Sequence, residues 1–140
     1  MPRYASARTL LAPLDDVWAF LAEPYNLADW FPGVSGVEPD RRGLAPGARW
    51  KVIGPNRPSF LRSPQMTGTL VVLEVVPMER LAFQLTTDRI GAEITLEAVD
   101  VDRTRVTLVV EGPYLVGLRR RFPYQALARL HALLRTGEES

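Results

Sequence analysis

Along this chain the spacing of apolar residues changes from strand-like to helical, back to strand-like over its middle, and to helical again at its end. Tyr4–Leu11 alternates polar and apolar positions and reads as a strand, although Ala5 and Ala7 are weak strand formers. Ala12-Pro13 leads into Leu14–Leu21, where Val17, Phe20 and Leu21 share one helical face with Trp18 on its flank. Pro13 suits the first helical position, and Asp15 and Asp16 suit the positive end of a helix dipole. Pro24 stops this helix, because the residue before a proline avoids the helical region. Tyr25–Trp30 can form a second short helical turn, ended by Pro32-Gly33.

Six further strands are predicted near Val34–Glu38, Ala48–Ile53, Thr67–Val76, Leu81–Thr87, Ala92–Val99 and Arg105–Glu111. Turn chemistry separates them at Asp40–Gly43, Pro46-Gly47, Pro77–Arg80, Asp88–Gly91 and Asp100–Arg103. In the last two strands Ile94, Leu96 and Ala98, then Val106, Leu108 and Val110, take one face, and Glu and Thr or Arg take the other. That is the pattern of an antiparallel sheet with one dry and one wet side. Leu70–Val76 is apolar on both phases, which predicts a bulge or burial on both faces. The proline-rich stretch Gly54–Pro64 blocks sheet pairing and reads as a loop, with Phe60 and Leu61 packed beneath it or at a cavity mouth.

From Tyr114 to Arg135 an apolar stripe of Leu115, Leu118, Phe122, Ala126, Leu130 and Leu133 predicts a helix about 33 Å long. Pro123 lies inside it, and the unbroken phase favours one kinked helix, with a start at Pro123 itself left open. One domain over 1–140 accounts for the whole pattern.

Composition removes several functions. Seventeen basic against sixteen acidic groups leave a net charge of +1, so no global field recruits nucleic acid or a membrane surface. Lys51 is the only lysine, a bias that decides nothing about activity. With no cysteine there is no disulfide, thiolate metal site or cysteine nucleophile. No apolar run reaches the ~20 residues of a membrane span, and the N-terminus lacks a signal core, which implies a soluble, cytoplasmic protein. No phosphate loop, dinucleotide turn, metal-spaced histidines or serine elbow is present, so neither a cofactor nor a metal is expected.

Several local pieces in this order resemble the START-like superfamily, also called SRPBCC, which includes polyketide cyclase-like proteins. They are Ala12-Pro13 before Val17-Trp18, Trp30 with Pro32-Gly33-Val34, Pro46–Trp50, Glu74–Phe83, and Asp102–Thr107. The resemblance implies an α+β helix-grip fold: a seven-stranded antiparallel curved sheet, two short helices after the first strand, and a long C-terminal helix over the concave face. It further implies a cavity between sheet and helix that binds or carries a hydrophobic small molecule, whether lipid, quinone or aromatic polyketide. A cyclase or dehydratase using acid–base chemistry, or an interaction module like the superfamily's chaperone activators, are the alternatives. The expected partner is the apolar ligand, not nucleic acid or an integral membrane, and a homodimer stays open.

Cavity-lining candidates follow from that picture: Trp50, Phe83, Leu96 and Leu108 from the strands, and Phe60 and Met66 from the segment before the fourth strand. Tyr114, Leu118, Phe122 and His131 join them from the terminal stretch. His131, the only histidine, could serve as an acid or a ligand-orienting group, but a lone histidine more often sits at a helix edge with a solvent or backbone partner. Glu93, Glu97 and Glu111 read as solvated outer-face groups paired with arginine. Glu74 inside its apolar run would have a raised pKa if buried, though exposure before Pro77 is the plainer reading. Arg49, alternating with Trp50, would fix an anionic ligand only if it pointed inward. Arg119-Arg120-Arg121 reads as solvated charge.

Overall fold

Seven strands form one antiparallel sheet in the computed structural model, which describes residues 3–31, 34, 36–53, 67–86, 90–112 and 122–139. They are β1 (Arg3–Leu10), β2 (Gly36–Glu38), β3 (Arg49–Ile53), β4 (Thr67–Val76), β5 (Arg80–Leu85), β6 (Ile90–Ala98) and β7 (Thr104–Glu111). Their lateral order is β1-β7-β6-β5-β4-β3-β2, so β2 to β7 meander and the first strand closes against the last. Between β1 and β2 lie α1 (Leu14–Ala22), a 3-10 turn (Pro24–Asn26) and α2 (Leu27–Trp30), while α3 (Phe122–Glu139) follows β7. This is the expected α+β, helix-grip-like arrangement.

Local chemistry sets the element boundaries. Pro13 is the N-cap of α1 rather than its first helical residue, because its extended ψ of 154° leaves only its carbonyl to accept from Val17 N–H at 3.0 Å. At the other end the Asn26 side-chain amide donates to the Phe20 carbonyl at 3.0 Å, satisfying one of the orphan acceptors of α1. Ile90 and Gly91, expected in a turn, belong to β6, where they pair with Leu85 and Gln84. The apolar run of β4 is resolved by a bulge. The register shifts between Val72, opposite Phe83, and Glu74, opposite Ala82, leaving Leu73 as the extra residue. Val72 and Val75 are thereby kept on one face and Glu74 on the other, and Leu73 stays half-exposed at 52%.

Antiparallel register divides the sheet into two faces, because directly opposed residues project the same way. Leu81, Phe83 and Leu85 oppose Ile94, Ala92 and Ile90, and these share a face with Leu96, Val106, Leu108 and Val110. The same face continues through Leu70 and Trp50 to Val37 at the far edge. All of these side chains are buried, and with α1 and α2 they make the core. α3 packs chiefly on β1 and also meets α2 and β7.

The buried stripe of α3 runs through Pro123, Ala126, Leu127 and Leu130, with Leu134 partly buried. Leu133, expected in this stripe, is 38% exposed. At 100° per residue the stripe centres between Ala126 and Leu127, which leaves Leu133 on its rim. Pro123 stands in the first turn of α3 as described, where its missing N–H costs no helical bond. Residues 114–121 of the longer expected helix lie outside the described residues, as do the Gly54–Pro64 loop, the Pro32-Gly33 stop and the basic run 119–121.

Candidate functional site: the inner face and its polar margin

Among the described site residues Trp50 is held by both its loop and its own hydrogen bond. The loop before it is folded around Asp40, whose carboxylate accepts from Arg42 N–H and Arg49 N–H, each at 2.9 Å. These backbone bonds, that to Arg49 first, hold the Asp40 carboxyl below the usual carboxylate range. The loop passes through Gly43 (φ 61°) and Gly47 (φ 87°), a left-handed backbone that glycine adopts without a side-chain clash. Gly43 then presents its carbonyl to Trp50 Nε1 at 2.7 Å. The indole is 4% exposed with its one donor satisfied, so it forms a rigid apolar wall.

Phe83 is fixed by an aromatic chain. Trp30 meets Phe31 edge-on at 5.5 Å between ring centroids, and Phe31 meets Phe83 at 5.4 Å. The chain ties the end of α2 to the middle of β5. Leu96 and Leu108 sit on the same inner face, at 8% and 0% exposure. The structure therefore brings Trp50, Phe83, Leu96 and Leu108 onto one surface. His131 lies partly buried on α3 and already has an interaction partner. Phe60, Met66, Tyr114 and Leu118, and the side chain of Phe122, lie outside the described residues.

Sequence reasoning missed the polar margin of this face. In β1, Tyr4, Ser6 and Arg8 oppose Val110, Leu108 and Val106, so they project inward alongside residues that are fully buried. All three are partly buried, whereas Arg3, Ala5, Ala7 and Thr9 are exposed. Both phases of the strand contain an arginine and a hydroxyl, which hid the inward one. The signal was Leu10, which enters the core with the phase of Arg8. Thr104, the remaining polar residue of this face, is committed: its hydroxyl donates to the Ala12 carbonyl at 2.9 Å and pins the entry of α1 to the start of β7.

Opposite charges meet on the outer face. Arg80 Nη1 lies 3.3 Å from Glu74 Oε1, and Arg80 Nη2 lies 3.2 Å from Glu93 Oε1. The hydrogen bond to Glu74, and next the charge of Glu93, hold this guanidinium still more firmly protonated. Glu97 stands directly opposite Arg105. Glu74 is therefore a surface ion-pair partner, and exposed Arg49 points away from Trp50. An open hollow of about 380 Å³ lies on this face between Arg80 and Arg105, floored by Thr95 and Thr107. Among the described residues no three His, Asp or Glu side chains could hold a metal ion, and no helix is long and apolar enough to cross a membrane.

Compared with curated proteins, the chain has no significant match. Among solved structures it is similar to a structural-genomics protein from Nitrosomonas europaea, with 21% identity, TM-score 0.72, and coverage of 99% of this chain and 97% of the other. It is equally similar to one from Chromobacterium violaceum, with 21% identity, TM-score 0.71, and coverage of 96% and 98%. The di-domain ARO/CYC BexL from the BE-7585A biosynthetic pathway superposes with TM-score 0.67 at 20% identity, covering 99% of this chain and 47% of that one. These likenesses are of fold. Over residues 1–135, which include every strand and most of α3, the sequence matches the family described as polyketide cyclase / dehydrase and lipid transport, and the chain belongs to that family within the expected SRPBCC superfamily.

Proposed function

We propose that the protein binds or carries a hydrophobic small molecule, of lipid or aromatic polyketide-like character, between the inner face of the sheet and α3. One observation carries this reading: among the described residues the inner face is apolar from Val37 on β2 to Val110 on β7 apart from Thr104, whose hydroxyl is committed to the Ala12 carbonyl, and the uncommitted polar side chains gather along β1. A pocket that takes an oily guest needs such walls, with a few polar groups at one side to orient it. Membership of a family that includes lipid transport, and the fold shared with an ARO/CYC protein, support the same ligand class. A cyclase would need two polar groups converging on the guest from different directions. Among the described residues, the free polar groups of this face lie side by side on a single strand.

The test is displacement of a polarity-sensitive dye, backed by native mass spectrometry of purified protein. Saturable uptake of one apolar molecule per chain is expected, with competition among fatty acids, quinones and polycyclic aromatics. A dye signal that never saturates, with no bound mass across that panel, would end the proposal.

A further inference from the structure

The polar margin on β1 narrows the ligand class, an inference that rests on the pocket reading above. Arg8 shares the inner face with Val106, which is fully buried, yet carries a permanent positive charge. Among the described residues the ion pairs are Arg80 with Glu74 and Glu93, and Arg103 with Asp100, so Arg8 has no ion-pair partner among them. A guanidinium turned toward an apolar face is a natural partner for an anion, and its planar fork matches a carboxylate with two parallel hydrogen bonds. Ser6 lies two residues along on the same face, about 7 Å away in backbone terms. Its hydroxyl is within side-chain reach of the same anion.

We infer that Arg8 anchors the acidic end of the guest. The preferred ligand is then an amphipathic carboxylate whose apolar body lies across β7 and β6 toward Phe83, and whose carboxylate sits at β1 against Arg8 with Ser6 as a second donor. The outer-face arginines cannot take this role, since Arg49, Arg80 and Arg105 all face away from the core, and Arg80 is already held by two carboxylates.

The experiment compares decanoic acid with decanol by isothermal titration calorimetry on the full chain at neutral pH. Decanoate should bind about tenfold more tightly than the alcohol, the expected effect of one charge-assisted contact. Arg8→Gln should erase that ratio by weakening decanoate far more than decanol, and Arg8→Lys should restore part of it, keeping the charge without the fork. In the unaltered protein the ratio should also collapse as the acid becomes protonated, a readout that needs no variant. Equal binding of acid and alcohol, or an Arg8→Gln protein that loses both alike, overturns the anchor and leaves the pocket standing. If neither compound binds, the anchor is overturned, and the dye and mass-spectrometry panel decides the pocket separately.

Discussion

The two faces of the sheet use the same strands for opposite purposes. On β6, Ile94 is fully buried against Leu81 and Leu108, while its neighbour Thr95 faces outward between Arg80 and Thr107. From β2 to β7 the inward positions are almost all apolar and withdrawn from water, and the outward ones carry charges, some of which pair across strands as Arg80 does with Glu93. The contrast shows where chemistry can reside. Charge is abundant on the outer face but solvated and in part paired, whereas on the inner face it is rare, and the guanidinium of Arg8 has no ion-pair partner among the described residues.

Truncating adjacent residues on the two faces should separate them by the widest margin. Ile94→Ala should destabilise the protein by about 2–5 kcal/mol, through lost burial plus the cavity left behind. Thr95→Ala should stay within about 0.5 kcal/mol. Urea unfolding of both variants measures this, and similar midpoints would mean that the faces are misassigned.

Thr104→Val probes a polar commitment of the inner face. It keeps the shape but leaves the buried Ala12 carbonyl without its donor, a loss of about 1–3 kcal/mol by the same measurement. A variant as stable as the parent would show that this hydrogen bond contributes nothing.

Acid should act on the two aspartate-centred loops outside the sheet. Asp40 is held below the usual carboxylate range by the Arg49 and Arg42 backbone, and Asp100 likewise, first by its bond with Arg103 at 2.7 Å and then by Asp102 N–H. A carboxyl whose folded pKa is depressed contributes stability that is present above its unfolded value and lost as pH falls through the folded one. Melting temperature should therefore decline progressively below about pH 4. Asp40→Asn and Asp100→Asn together should flatten that decline, and an unchanged slope would refute the assignment.

The smallest effect belongs to Arg80→Ala. Its two ion pairs are exposed and screened, so the shift in unfolding midpoint should be slight and should vanish in molar salt. A large shift that survives salt would mean that the outer face carries structural weight after all.

Much of the fold was legible because its strongest signals are periodic. The alternation in Ala92–Val99 and Arg105–Glu111 gave β6 and β7 with the correct inner faces, and Pro13, Pro24 and the acidic first turn bracketed α1. The run Leu70–Val76 announced an irregularity, and the extra residue at Leu73 is that irregularity. Less legible was whatever depends on a neighbour in space. The inward phase of β1 is set by pairing with β7, a partner about a hundred positions away, and its own residues are too evenly mixed to declare it. Leu133 departs from the expected stripe because α3 is centred by what it packs on, not by its own periodicity. Of the expected site residues, Trp50, Phe83, Leu96 and Leu108 share the inner face because large apolar side chains on alternating strands have only one dry side to occupy. Tyr4, Ser6 and Arg8 escaped notice because a polar strand at a sheet edge looks solvent-facing on both phases.

Adjacency of β1 and β7 also governs the order of assembly. On a ribosome β1 emerges before β2 to β7 but cannot acquire its ladder until Thr104–Glu111 has been synthesised, so it waits for about a hundred residues without a partner. Hairpins from β2 to β6 can form locally in the meantime. Closure of the sheet, and with it the seating of α1 through Thr104, is then a late, concerted event, and chains interrupted before that strand should be recognised by proteases as unfinished.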